Sequence, residues 1–181
     1  MPTAILIDGD FFIRRYRYVF GNQLAERVAK DLHKMCLEHL RQTDGTRQLY
    51  RIFFYDCPPL TKKAHNPVTK QSVDFSKTPT AVWRTALHHE LRRLRKVALR
   101  LGYLADRMGH WTVRPEKLKK LLAGEIAVKD LAETDVFYSV TQKGVDMRIG
   151  LDIASMAFKR QVDQIILVAG DSDFVPAAKL A

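Results

Sequence analysis

The chain has 181 residues, the length of one domain and enough to bury a substantial core. Its 46% hydrophobic and 28% charged content excludes a disordered or fibrous polymer, and no run of 18 apolar residues is present to span a membrane as a helix. The net charge of +10 is uneven: residues 61–120 hold 15 basic and 4 acidic side chains (+11), against +2 for residues 1–60 and −3 for residues 121–181.

The opening MPTAILIDGD lacks the basic and then apolar regions of a secretory leader. Within it, Thr3–Ile7 is short, apolar and β-branched, which predicts a buried strand ending at Asp8. Asn22 can cap a helix running to about Arg41, with Leu24, Val28, Leu32, Met35 or Cys36, and Leu40 on one face. Asp44-Gly45 reads as a turn, and Leu49–Tyr55 as a second buried strand that ends at Asp56 and is stopped by Cys57-Pro58-Pro59. With only Cys36 and Cys57, no disulfide framework is expected, and the expected setting is the reducing cytoplasm.

Residues 58–79 hold four prolines and several lysines, a long loop of the kind that serves function. A helix is predicted from Pro79-Thr80 to Leu101, stopped by Gly102, with Val82, Leu87, Leu91, Leu94, Ala98 and Leu101 in its apolar stripe. Tyr103–Val113 reads as a bent strand or small hairpin, Pro115–Leu122 as a short basic helix and Phe137–Thr141 as a strand. A helix over about 145–160 follows, then a buried strand at Gln164–Ala169, then Gly170-Asp171-Ser172-Asp173 and a closing helix. Strands alternating with helices predict an α/β fold with a mostly parallel sheet, and such sheets bind ligands beyond the carboxyl ends of their strands.

Three apolar strands end in acid, at Asp8, Asp56 and Asp171. If the strands carrying Asp8-Gly-Asp10 and Asp171-Ser-Asp173 lie side by side, four carboxylates crowd one crevice, at a cost of several kcal/mol or forced protonation. A divalent cation relieves that conflict, and oxygen-only ligands favour Mg²⁺ or Mn²⁺ over zinc. The six histidines show no zinc spacing, and His88 and His89 read as surface or packing residues of a helix. Gly144 permits a sharp turn before the next helix and puts Asp146 in its first turn, where the helix dipole favours an acid in any case. Asp152, further along this apolar helix, is either a supporting acid or the partner of Arg148.

Together, ILIDGD at residues 5–10, KGVDMRIGLDIA at 143–154 and LVAGDSDF at 167–174 resemble the NYN domain, in its LabA-like branch of the PIN-like nuclease superfamily. The resemblance spans residues 3–181 and implies a three-layer α/β/α domain with parallel sheet order 3-2-1-4, sometimes extended by a fifth strand. It implies a metal-dependent ribonuclease whose acidic site is Asp8, Asp146, Asp171 and Asp173, both catalytic and metal-binding, with Mg²⁺ or Mn²⁺ as cofactor. Asp10, Asp152, Lys143 and Ser172 are supporting candidates, with Ser172 expected to cap the last helix. RNA is the expected partner, met by Arg84, Arg92, Arg95 and Lys96 with Lys62, Lys63 and Lys70, while Trp83, Tyr103 and Trp111 could stack bases.

Two features depart from the family pattern. Phe11 stands where the family often has Asn, and the chain stops soon after GDSDF, where the family usually continues, so a truncated single domain over residues 1–181 is expected. Two other readings stay open: a module that binds RNA without cutting it, and a haloacid-dehalogenase-like phosphatase using Asp8-x-Asp10. Against the phosphatase, Phe12 stands where that family prefers Thr or Val.

Overall fold

A computed structural model describes residues 1–41 and 47–180 of the chain; the turn expected at Asp44-Gly45 lies outside them. Its strands are β1 (Pro2–Asp8), β2 (Gln48–Asp56), β3 (Lys63–His65), β4 (Ser72–Asp74), β5 (Val97–Leu101), β6 (Tyr103–Leu104), β7 (His110–Val113), β8 (Val136–Ser139), β9 (Gln142–Lys143) and β10 (Gln164–Val168). Its helices are α1 (Gly9–Phe20), α2 (Ala25–Arg41), α3 (Pro79–Arg93), α4 (Pro115–Leu122), α5 (Val145–Phe158) and α6 (Val175–Leu180).

The central sheet is parallel throughout, in the order β10-β1-β2-β5. Counted along the sheet alone this is 4-1-2-3, the order that the resemblance implies. Alternation along β1 and β2 builds two cores. Ile5, Ile7, Ile52 and Phe54 face α1, α2 and α3, while Ala4, Leu6, Phe53 and Tyr55 face α5, through Ile149, Ile153 and Met156. Both faces are covered, which is why these strands read as continuous apolar runs. No helix among the described residues is long and apolar enough to cross a membrane.

Several elements differ from expectation, two of them in the main sheet and its helices. Residues 9–20 form α1, which no periodic stripe announced: its buried face is only Phe12, Ile13 and Tyr16 beside Gly9. The Asp8 side chain starts this helix by accepting from Asp10 N at 3.0 Å and Phe11 N at 3.2 Å, and Gly21 ends it at φ +69°. The helix predicted to Leu101 ends instead at Arg93. After a turn in which Lys96 takes φ +62°, residues 97–101 pair with β2 as the edge strand β5. The leucine spacing runs unbroken through this turn and hides it. What decides is pairing: Val97 and Leu99 join the core on the α3 side, while Ala98 joins the core on the α5 side.

The long loop contains a small β3–β4 hairpin, and the expected hairpin within 103–113 does not close on itself. Instead β6 pairs with β9 and β7 with β8, both antiparallel, so the segment reaches forward to residues 23 to 40 positions later.

Gly9 is held close to β2. A Cβ there would lie 2.6 Å from the Tyr55 carbonyl oxygen and 2.7 Å from Phe54 Cε1. Because the first of these is backbone, it cannot swing aside. Gly9→Ala is expected to destabilise the fold by roughly 1–3 kcal/mol. Thermal unfolding would show a Tm fall of about 2–4 °C for each kcal/mol, against an unchanged control at exposed Arg15.

Candidate active site

The carboxyl ends of the parallel strands open into a pocket of about 200 Å³ lined by five acids: Asp8, Asp10, Asp56, Asp146 and Asp171. Each arrives on a different device. Asp8 ends β1, and Asp10 sits in the first turn of α1. Asp56 ends β2, Asp146 stands in the first turn of α5 behind Gly144 at φ +81°, and Asp171 follows β10. That positive φ is cheap only for glycine, and it turns the chain from β9 into α5. Arg14, Tyr55, Gln142 and Val145 complete the lining.

Burial pushes the Asp8 carboxyl above its ordinary value of 3.8; the N–H groups of Phe11 and Asp10 oppose this, and the charges of Asp10 and Asp146 reinforce it. Asp146 is also raised, by burial first and then by the charges of Asp171 and Asp173. Asp173 is exposed and stands outside the pocket lining, although its charge is felt at Asp146.

Ser172, expected to cap the last helix, lies instead inside a short 3-10 turn (Ser172–Phe174) ahead of α6, and Asp171 caps that turn, accepting from Asp173 N at 2.9 Å. Asp152 belongs to neither the pocket nor Arg148. Arg100 holds it through two bonds of 3.0 and 3.1 Å, and the Tyr55 hydroxyl donates to it at 2.8 Å. Arg100 reaches it only because residues 97–101 are a strand, which turns this side chain toward α5. Lys143 is exposed on β9 and does not line the pocket, whereas its neighbour Gln142 does.

The expected cations separate into three groups. Arg84 is at the site: its side chain is 15% exposed and lies 3.3 Å from Asp10 and 3.4 Å from Asp56. Lys62 lies nearby, its Nζ donating to the Tyr138 hydroxyl at 3.0 Å; Lys63 pairs with Asp74 at 3.8 Å, and Lys70 turns the β3–β4 hairpin at φ +62°. Arg92, Arg95 and Lys96 sit at the amino end of β5. The five residues of that strand, at ~3.3 Å each, put them at the far end of the sheet from the acids. They are exposed and cannot flank a phosphate in the pocket.

The sequence shows Asp56 as a strand-end acid and His88 as a surface or packing residue of a helix, but places neither at the site. Asp56 is 1% exposed; its Oδ1 accepts from Cys57 N at 2.8 Å and its Oδ2 lies 2.7 Å from His88 Nε2. The spacing that could have revealed this is Arg84 to His88, four residues apart on one helix face and therefore able to meet the same strand end.

The family model of the NYN domain matches residues 73–181, more than half of the chain. The chain belongs to the NYN domain family. Its fold is PIN-like, a parallel sheet with helices on both faces. The matched stretch supplies Asp146, Asp171 and Asp173 of this NYN domain, while Asp8, Asp10 and Asp56 lie before it and are brought alongside by the sheet. Comparison with proteins of curated function and with solved structures found no match.

The NYN domain sits within the PIN-like nuclease superfamily, which generally uses divalent metals. Among the described residues, no three His, Cys, Asp or Glu side chains are drawn close enough to hold one ion together. The donor chemistry nonetheless fits a hard cation: every acid offers oxygen, and Asp8 and Asp146 are raised first by burial and then by the charges of neighbouring acids. Few direct protein ligands suit Mg²⁺, which dehydrates reluctantly and keeps several waters.

Proposed function

We propose that this NYN domain, of the LabA-like branch and folding as one unit over residues 1–181, is a metal-dependent ribonuclease acting on single-stranded RNA. The observation that carries this is the meeting of acids from β1, β2, α5 and the end of β10 in one pocket. Asp8, Asp146 and Asp171 are the residues to hold Mg²⁺ or Mn²⁺, with Asp173 acting directly or through water. When bound, the ion supplies hydroxide near neutral pH and neutralises charge on the scissile phosphate.

The chain's own part is positioning. Asp8 spends one oxygen on the N–H groups that begin α1, which fixes its rotamer and leaves the second oxygen for the pocket. Asp171 does the same through Asp173 N. Arg84 brings a fixed positive charge beside Asp10, where it offsets the like charges and can meet a phosphate oxygen. In-line displacement at this site leaves a 5′-phosphate and a 3′-hydroxyl.

One observation favours the second reading, an RNA-binding module that does not cut. Phe11 takes the place of the usual Asn, and its ring packs so closely on Gly170 that a Cβ there would lie 2.5 Å away. The deciding experiment incubates end-labelled single-stranded RNA with the protein and Mn²⁺ or Mg²⁺, beside an EDTA control and Asp171→Asn. Cleavage lost in both controls is expected. RNA retained in a salt-sensitive complex and never cut would establish the second reading.

A further inference from the structure

A second hollow, of about 210 Å³, adjoins the acidic pocket, and Gln142 lines both. Pro58 and Leu104 form apolar wall, the rings of Phe75 and Tyr138 stand 5.2 Å apart, and Arg84 borders it on the α3 side. We infer that this hollow is a nucleoside subsite, taking the base and sugar of a single-stranded RNA residue next to the phosphate in the acidic pocket. The inference rests on the ribonuclease reading for the strand's path, and it adds where a base is held.

Three observations select that occupant. The first is chemical mixture. Half-buried aromatic and proline surface offers a flat apolar face, and Arg84 and Lys62 lie at hand for the phosphates on either side. An apolar ligand alone would have no use for the cations, and an inorganic phosphate none for the rings.

The second is preorganisation. The Tyr138 hydroxyl donates to the Gly109 carbonyl at 2.8 Å and accepts from Lys62 at 3.0 Å. Trp111 packs edge-on to Tyr138, with ring centroids 5.6 Å apart, and lies 6.0 Å from Phe75. Gly109 keeps the backbone against the ring, since a Cβ there would lie 2.6 Å from Tyr138 Cε1. A ring fixed on several sides gives up little freedom when a base packs on it.

The third is charge. Lys62, Phe75 and Arg84 all come from the segment carrying +11, which complements a polyanion. The acidic pocket alone would repel that polyanion, so the neighbouring cations are needed to bring it in. Trp83, a stacking candidate from the sequence, is not part of this hollow: its Nε1 donates to Gln23 O at 2.8 Å and Arg17 covers its ring.

The test uses the cleavage-deficient Asp171→Asn protein with Mn²⁺. Fluorescence anisotropy compares a single-stranded RNA 10-mer with an abasic ribose-phosphate 10-mer of equal charge. The intact RNA is expected to bind about tenfold tighter or more. Tyr138→Leu and Phe75→Leu, each introduced into that protein, should bring it down to the abasic level while leaving abasic binding unchanged. Equal affinity for the two oligonucleotides, or variants that weaken both alike, would overturn the subsite. If either variant unfolds, photocrosslinking of 4-thiouridine RNA to the otherwise unaltered protein decides: adducts on Phe75 or Tyr138 support the subsite, and adducts only on other surfaces refute it. Failure of the nuclease reading looks different. Base-dependent affinity with no cleavage by the wild-type protein would remove the reaction and keep the subsite, and cleavage with base-independent affinity would do the reverse.

Discussion

Asp146→Asn is expected to lower RNA cleavage by roughly 100-fold or more while leaving the metal-free protein at least as stable as the wild type at neutral pH. The two effects have one cause. Asp146 stands among like charges and is held above its ordinary value of 3.8 by burial and by Asp171 and Asp173. A carboxyl whose value is raised on folding favours the folded state while it is protonated. That contribution is present below 3.8 and is lost as the pH climbs through the raised folded value. Asparagine has no proton to lose, so in EDTA the difference in Tm, variant minus wild type, should grow with pH across this window and then level off. Mn²⁺ should reverse the order by raising the wild-type Tm more than that of the variant. A variant that cuts RNA at the wild-type rate would remove Asp146 from the site, and one destabilised equally at every pH would show a packing role instead.

The strands of the sheet were legible where both faces are buried. ILI, LYRIFFY and QIILV are dense enough to exclude most other readings, and each stops at or shortly before an acid, so the end of the sheet that holds the pocket could be read along with the fold. The edge strand β5 was not legible. Leu91, Leu94, Ala98 and Leu101 keep helical spacing across a turn that only the pairing of Val97 with Ile52 reveals. That one error displaced Arg100, and with it the role of Asp152, whose partner lies across the sheet rather than one turn away on its own helix. Arg92, Arg95 and Lys96 were misplaced for the same reason, because a continuous helix would have carried them along a single face. Asp8, Asp10, Asp146 and Asp171 line one pocket because short motifs fix each at a strand end or a helix start. Asp56 carried the same strand-end signal as Asp8. The i, i+4 spacing of Arg84 and His88 puts both on one face of α3, but a helix face by itself does not say which strand end it meets.

Asp56→Ala is expected to be among the most damaging single changes outside the apolar core. The carboxylate is 1% exposed and takes Cys57 N, His88 Nε2 and Arg84 within 2.8, 2.7 and 3.4 Å. Removing it leaves the buried His88 without its acceptor and the nearly buried Arg84 with Asp10 alone, a loss of about 3–5 kcal/mol. Thermal unfolding should show this as a Tm lower by about 6–20 °C. Most of the cost is the stranding of the partners rather than the value of the bonds, and a double-mutant cycle separates the two. If stranding dominates, Asp56→Ala combined with His88→Leu should be less destabilised than the sum of the single changes, because the leucine needs no acceptor. Strict additivity would mean that Asp56 and His88 do not act as a unit. The same cycle bears on the pocket, since Asp56 lines it and Arg84 bridges Asp56 to Asp10. Losing Asp56 should therefore leave Arg84 held by Asp10 alone and weaken RNA binding, with little change in the affinity for Mn²⁺. Unaltered RNA binding in a folded Asp56→Asn protein would confine the cluster to a structural role.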